Sequence, residues 1–433
     1  MRVNKYTNIF GIGLILIPLA AAAQPGQESL DWSETVGRSG GDRVVLPVNQ
    51  VITPAGKQIE LHGLRPQVLA LSPDGRLLVT AGKTHDLVVI DAAQQKILQE
   101  VPLPGNEAVE SMPGQTSSHI LKPDKDEQVS YTGLVFSPDG SRLYLSNVKG
   151  NIQVFAVGED HRLTGMGAIP LPNANVPLRK EEIPAGLAIS ADGKRLYVAG
   201  SLSNRLLEYE LPEGKLLRSY EAGAVPYAVL LTGKKAYVSN WAGRRPDAAS
   251  LTGRAGRGTV VRVDSRGVAN EGSVSVIDLS TGEPVKEIVT GLHASALVCT
   301  PDGRYVCVAN ANSDTISVIS TATDSLVETV PVGWRPQDMF GASPNALAMD
   351  ASGKRLYVCN ATQNAVAVVS LHPGKSHLLG IIPTGREGKS RLEGLIPTGW
   401  FPGAIVYDGP RRMLYVANIK GTLPDRTYDP SRR

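Results

Sequence analysis

Arg244, Arg245, Arg254, Arg257, Arg262 and Arg266 all fall within residues 241–272, against only Asp247, Asp264 and Glu271. Guanidinium forks match carboxylates and phosphates bidentately, so a Gly- and Arg-rich loop has the chemistry to cradle an anion. The same composition suits an Ω-like loop pinned by internal Arg–Asp pairs, and on sequence the two readings stay open. Gly-Arg-Ala-Gly-Arg-Gly, starting at Gly253, lacks the Gly-Lys-Ser/Thr of a nucleotide-binding loop, and no helical pattern follows it. His62, His85, His119, His161, His372 and His377 show no zinc-ligand spacing, and no Ser–His–Asp set can be assembled. Gly-Arg-Ser-Gly-Gly-Asp at Gly37 has the look of a nucleophile motif but sits in a polar linker ahead of any core.

The cysteines are Cys299, Cys307 and Cys359, an odd number that leaves at least one thiol unpaired within the chain. Cys299 and Cys307 flank a tight turn and are placed to face each other across a hairpin. Directly opposed strand residues have Cβ atoms about 4.5–5.5 Å apart, long for an unstrained disulfide, so free thiols are expected. There is no Cys-x-x-Cys-His for covalent haem, and no cofactor is expected.

The elements that must position these groups come from a repeat. LALSPDGRLLVTAG at Leu69, LVFSPDGSRLYLSN at Leu134, LAISADGKRLYVAG at Leu187, LVCTPDGRYVCVAN at Leu297 and LAMDASGKRLYVCN at Leu347 are one pattern. Val229 opens a degenerate copy, and IVYDGPRRMLYVAN at Ile405 is the last. A short apolar run is strand a, the Pro-Asp-Gly stretch a tight turn, and the Leu-Tyr-Val run strand b. Strands c and d follow in most copies, as in GSVSVIDLSTGE at Gly272. Seven a/b pairs predict an all-β, seven-bladed β-propeller of four-stranded antiparallel blades over residues 46–421. Residues 57–61 are expected as strand d of blade 7, with residues 48–52 as its strand c, so that the N-terminal strands complete the last blade.

Every long insertion in this scheme belongs to one face, at residues 103–130, 241–272, 335–343 and 386–397, and binding sites gather on such loops. Strand a starts near Pro66, Pro184, Pro226, Pro344 and Pro402, with Tyr131 and Ala294 in the corresponding slots. The next residues, Gln67, Thr132, Ala185, Tyr227, Ser295, Asn345 and Gly403, are expected to line the channel mouth. That set has no carboxylate, which hard cations usually demand, so no metal site is expected. His293 sits beside it. The candidate binding residues are therefore Arg244, Arg245, Arg254, Arg257, His293, Tyr227, Asn345 and Trp241, and no residue is nominated as catalytic.

These repeats resemble the YVTN-type (YncE-like) seven-bladed propellers. A narrower resemblance is to the propeller portion of exported bacterial proteins that join it to an alkaline-phosphatase-like phosphoesterase domain. It rests on SNWAGRRPDAASLTGRAGRGTVVRVDS at Ser239, LHASAL at Leu292, DMFGASPNALAMD at Asp338, CNATQNAVAVVS at Cys359 and GWFPGAIVYD at Gly399. The resemblance implies a phosphoesterase beyond Arg433, so its hydrolytic residues map onto no position here and the chain is expected to be a truncated relative.

Arg2 and Lys5, the apolar run 9–20 and Ala21-Ala22-Ala23 read as a cleaved signal peptide over residues 1–23, ahead of a linker at 24–45. The expected location is periplasmic or secreted, with no membrane span after cleavage. Formal charge is +3, and removing Arg2 and Lys5 leaves +1, which gives no case for nucleic acid. A polar tail occupies 422–433. The expected function is a non-catalytic, monomeric binding or scaffolding module for a protein or small anionic ligand on the loop-rich face. A lactonase-like hydrolase at the channel mouth is the alternative, supported by fold analogy.

Overall fold

The computed structural model describes residues 36–38, 43–48, 50–82, 85–108, 121–123, 128–333, 341–373 and 389–421. The signal peptide, the C-terminal tail and much of the insertions at 103–130 and 335–343 lie outside them. Among the described residues no helix is long and apolar enough to cross a membrane.

The repeat folds as an all-β propeller. In most units the turn between the first two strands is built by its own side chains. In blade 2 the Ser137 hydroxyl donates to Asp139 at 2.5 Å, and Asp139 accepts the Ser141 N–H at 3.0 Å. Gly140 supplies the positive φ of 73° that closes the turn. The Ser137 hydroxyl holds the Asp139 carboxyl below its ordinary value. The same ladder recurs at Ser72–Asp74, Ser190–Asp192 and Thr300–Asp302.

Six blades are four-stranded sheets in the order a-b-c-d. Blade 1 runs Pro66–Leu71, Leu77–Gly82, Asp86–Asp91 and Lys96–Pro102. Blade 2 starts at Val129–Phe136 and blade 3 at Pro184–Ile189. Blade 4 is Pro226–Thr232, Lys235–Asn240, Gly272–Asp278 and Pro284–Thr290. Blade 5 starts at Ala294–Cys299, and blade 6 is Pro344–Met349, Arg355–Asn360, Ala365–Ser370 and Arg391–Pro397. The seventh position holds a two-stranded sheet, Pro402–Asp408 paired with Met413–Asn418. Each strand a packs against the next, and Pro402–Asp408 packs on Pro66–Leu71, which closes the ring. Apolar clusters fill the space between successive blades.

The N-terminal strands do not pair as expected. Residues 57–61 are not a strand, and Val51–Ile52 pairs with Val44–Val45 in a separate small sheet. Val44, Leu46 and Ile52 cluster with Trp400 there. Ile59, Leu61 and Leu64 instead pack against Leu78, Val88, Ile90 and Tyr415, between blade 1 and the seventh position. Of the apolar alternation, Ile59 and Leu61 are half-buried by side-chain packing without a backbone ladder, and Val48 and Val51 are exposed.

All three thiols are free. Cys307 lies opposite Val298, while Cys299 lies opposite Val306, so the two cysteines do not face each other. Burial pushes the Cys307 thiol up to about 12, which leaves it unreactive at neutral pH.

Neighbouring blades are also tied by buried hydrogen bonds. Tyr237, fully buried on blade 4, donates to Asp324 of blade 5 at 2.5 Å, and Lys235 reaches the other carboxylate oxygen at 2.5 Å. Tyr237→Phe removes one bond to a buried charge. It should lower the unfolding free energy by about 1.5–3 kcal/mol, read from the denaturant midpoint. An unchanged midpoint would mean that this tie contributes nothing.

Candidate functional site: the aromatic channel mouth

Strand a carries a register shift near its start in every blade, including the two-stranded one. Gln67, Thr132, Ala185, Tyr227, Ser295, Asn345 and Gly403 fall inside those seven shifts. Bulges re-aim side chains, and this is the set expected at the channel mouth.

Beside the bulges, the backbone is left-handed. Val225, His293, Ser343 and Phe401, each immediately before a strand a, have φ of 58°, 61°, 52° and 63°, and Tyr131 has φ of 50°. For a β-branched residue such as Val225 this is an outlier that must be held in place. The preceding blade does the holding. Asn204 accepts the Val225 N–H at 2.9 Å, Asp314 accepts that of Ser343 at 2.9 Å, and Asn364 accepts that of Phe401 at 3.0 Å. Each acceptor is the residue just before a strand c and is itself left-handed, which Asn and Asp tolerate best. In blade 4 the insertion at 241–272 stands where this turn would be.

Four aromatic rings meet on this rim. Tyr227 stacks on Trp241 with centroids 4.4 Å apart and an interplanar angle of 19°. His293 meets Trp241 edge-to-face at 4.3 Å. Tyr131, from blade 2, contacts Trp241 at 5.2 Å and Tyr227 at 5.8 Å, both edge-to-face. Rings of blades 2 and 4 can meet because blade 3 offers only Ala185, fully buried, at the position between them. Burial pushes the Tyr227 hydroxyl up to about 12, against a hydrogen bond with Thr132 that lowers it. Burial also holds His293 below its ordinary value despite a hydrogen bond with Asn312, so the imidazole is neutral at physiological pH. Tyr131, Trp241 and His293 remain half-buried, so the cluster reaches solvent. Trp241 Nε1 and Asn345 Oδ1 are both buried and have no hydrogen-bond partner among the described residues. A buried indole N–H without an acceptor costs roughly 1–3 kcal/mol, which an incoming acceptor would relieve.

The arginine loop is pinned largely by its own and neighbouring acids. Arg244 makes a fork on Glu271, with Nη2 at 2.6 Å and Nε at 3.0 Å. Arg245 pairs with Glu221 of blade 3 and donates to the Ala222 carbonyl at 2.7 Å. Arg262 reaches Asp247 at 2.8 Å, and Arg266 reaches Asp264 at 2.6 Å. Arg254 and Arg257 stand exposed on and beside a small hairpin, Thr252–Ala255 with Thr259–Arg262. The structure thus brings together Tyr227, Trp241 and His293 and places Asn345 in the same ring of bulges on blade 6. It keeps Arg244 and Arg245 occupied at the loop base. Tyr131 and Asn312 are additional. Tyr131's signal was an aromatic in a slot that five of the other six blades fill with proline. Among the described residues no group of three or more His, Cys, Asp or Glu could hold a metal ion.

Residues 262–382 match the family described as Lactonase, 7-bladed beta-propeller, a stretch from the end of the blade 4 insertion through blade 5 and strands a to c of blade 6. Hydrazine synthase from Kuenenia stuttgartiensis is similar in structure, with a TM-score of 0.58 and 20% identity, over 84% of this chain and 95% of that one. The structure of U3-55K is similar with a TM-score of 0.56 and 12% identity, over 82% of this chain and 89% of that one. At these identities the likeness is one of fold. No curated protein matches. Together they place the chain among β-propellers.

Despite the burial of Glu271, the Arg244 fork and N–H bring its carboxyl below the ordinary glutamate value of 4.5. Its contribution to stability is therefore complete above that value and fades as pH falls through the lower folded-state value. Arg244→Ala should cost about 1 kcal/mol at neutral pH, a modest figure because the guanidinium is half-exposed and screened. In thermal unfolding against pH, the gap between wild type and variant should be constant at neutrality and shrink in acid. A pH-independent gap would show that the ion pair is not its source.

Proposed function

We propose that this protein is an exported, non-catalytic binding module that takes a small ligand at the channel mouth. The ligand offers a flat face to the Tyr227–Trp241 stack and a carbonyl or carboxylate oxygen to the indole N–H. The observation that carries this reading is the solvent-reaching aromatic cluster with a buried, unsatisfied Trp241 Nε1. Such a site has the apolar walls and few placed polar groups of a small-molecule pocket. Export rests on the N-terminal charge and apolar pattern. Kinship with the propeller half of propeller–phosphoesterase proteins rests on the stretches at Ser239, Asp338 and Gly399. Arg254 and Arg257, exposed on and beside the hairpin of the insertion, are positive groups open to an anionic ligand or partner.

A second reading, a lactonase-like hydrolase, is favoured by the family match across residues 262–382, which include His293. A neutral imidazole beside the channel is in the state a general base requires.

One titration separates the two. Benzoate, a flat ring with a carboxylate, should change the Trp241 fluorescence saturably. Trp241→Phe should weaken binding about tenfold or more, matching the loss of a buried hydrogen bond and a stacking surface. δ-Valerolactone should not be turned over. Turnover that His293→Ala abolishes with the fold intact would establish the hydrolase, and failure of benzoate and similar flat acids to bind would remove the pocket reading.

A further inference from the structure

Glu287 lies half-buried on strand d of blade 4, opposite Ser275 of strand c. Its Oε1 accepts the Asn240 amide at 3.1 Å and the Ser273 hydroxyl, and Ser275 hydrogen-bonds the same carboxyl. The Asn240 amide also lies 3.1 Å from Ser273 Oγ and 2.9 Å from Ser275 Oγ. One carboxyl thus gathers the last residue of strand b and two residues near the start of strand c. Those are the places where the arginine-rich insertion leaves the blade and returns to it.

The same network reaches both rings of the stacked pair. Trp241 follows Asn240 directly, and its backbone N–H donates to the Val225 carbonyl at 2.9 Å. On the other side, Ser275 Oγ accepts the Gly223 N–H at 2.9 Å, in the crossover from blade 3 that leads into Tyr227. That crossover runs close over Asn240: a Cβ on Gly223 would fall 2.5 Å from Asn240 Nδ2. Ala242 donates to the Ala224 carbonyl at 3.1 Å, and Ala224 to that of Gly243 at 2.7 Å, so the two segments are laced together.

Holding an asparagine at the end of strand b does not require a charge. In blade 5, Asn310 donates to the Thr315 and Ser317 hydroxyls at 3.0 and 2.9 Å, and the residue opposite Ser317 is Thr329. Blades 2, 3 and 6 have Ala168, Ser219 and Leu395 in that place. Blade 1 has an acid there, Glu100, but it lies opposite Val88, and Gly82 ends strand b. The acid that meets an asparagine and two serines stands in the blade that carries Trp241.

We propose that Glu287 is a positioning residue of the aromatic mouth, whose negative charge holds Trp241 and Tyr227 in their stacked arrangement through Asn240 and Gly223. Taken with the small-ligand reading of that mouth, on which this role rests, proton uptake by Glu287 regulates the site. A neutral carboxylic acid turns one of its oxygens into a donor, so the three side chains bonded to the carboxylate lose part of their acceptor set. Burial holds the Glu287 carboxyl above the ordinary glutamate value of 4.5 and the Glu271 charge adds to this, against its own hydrogen bonds, so the change falls in mild acid. The charged groups around it are Glu271 and Arg244 of the insertion, the Glu221–Arg245 pair beside the crossover and Lys286 on its own strand. Glu271 is held below the ordinary value, which separates its titration from that of Glu287.

The test follows the ¹⁵N-indole resonance of Trp241, assigned by its loss in Trp241→Phe, through an acid titration of the ligand-free full chain. One transition is expected above pH 4.5. In Glu287→Gln, the isostere of the protonated acid, the resonance should sit at its acid position at neutral pH and not titrate. Glu287→Asp, which keeps the charge, should keep a transition. The folded chain holds the Glu287 proton more readily than the unfolded chain does, so Glu287→Gln should not lower the denaturant midpoint at neutral pH. The transition should survive in His293→Gln, which removes the imidazole that touches Trp241. Benzamide, a flat probe that stays uncharged in this range, should bind the wild type about fivefold more weakly below the transition than above it. A resonance that does not move in acid, or a transition that survives in Glu287→Gln or disappears in His293→Gln, would overturn the proposal. So would equal benzamide affinity on the two sides of the transition. Failure of benzamide to bind the wild type at all would remove the pocket reading instead, and the ligand-free resonance still decides the role of Glu287.

Discussion

A hydrogen bond from the left-handed residue before an inner strand to an Asn or Asp of the preceding blade governs the geometry of this molecule. Asn204, Asp314 and Asn364 each accept the N–H of such a residue, at Val225, Ser343 and Phe401. A left-handed conformation at a non-glycine residue costs of order 1–3 kcal/mol, so it persists only where its surroundings over-determine it. Here the constraint does two things. At these three junctions it fixes where strand a begins, and it links one blade to the next at the channel end of the interface. The register shifts that follow hold the residues the sequence repeat aligns, from Gln67 to Gly403.

Blade 4 departs from this arrangement. Its turn between strands b and c is replaced by the arginine-rich insertion, and the left-handed residue just before the next inner strand is His293. Trp241, the first residue of the insertion, fills the place beside His293 and Tyr227. The aromatic rim and the arginine loop are thus two parts of one modification. The loop's charges are largely spent in holding it against blade 3 and against itself. The rings are left with a buried indole N–H that has no partner among the described residues.

Much of this was legible in the sequence because turn chemistry is local. A Ser or Thr two residues before an Asp and three before a Gly encodes its own hydrogen bonds, and the strands on either side alternate with the pleat. Tyr227, Trp241, His293 and Asn345 were also recoverable, since a repeat aligns the same position of each blade. The meeting of Tyr131 with Tyr227 was not, because it depends on Ala185 being small in the intervening blade. Composition overstated the free charge on Arg245, whose partner Glu221 lies outside the loop. Residues 57–61 misled for a different reason. Ile59 and Leu61 have the alternation of a strand and are half-buried, but packing against blade 1 needs no ladder.

The central claim is that the functional site is the aromatic mouth and not the arginine loop. It is tested most directly by the ¹⁵N-indole resonance of Trp241, assigned by its loss in Trp241→Phe, during a benzoate titration followed together with the arginine Nε signals. The account predicts that the Trp241 N–H resonance moves downfield as it gains an acceptor while the Arg244 Nε signal, held by Glu271, stays in place. Movement of the Arg244 and Arg245 signals with a stationary Trp241 resonance would contradict it.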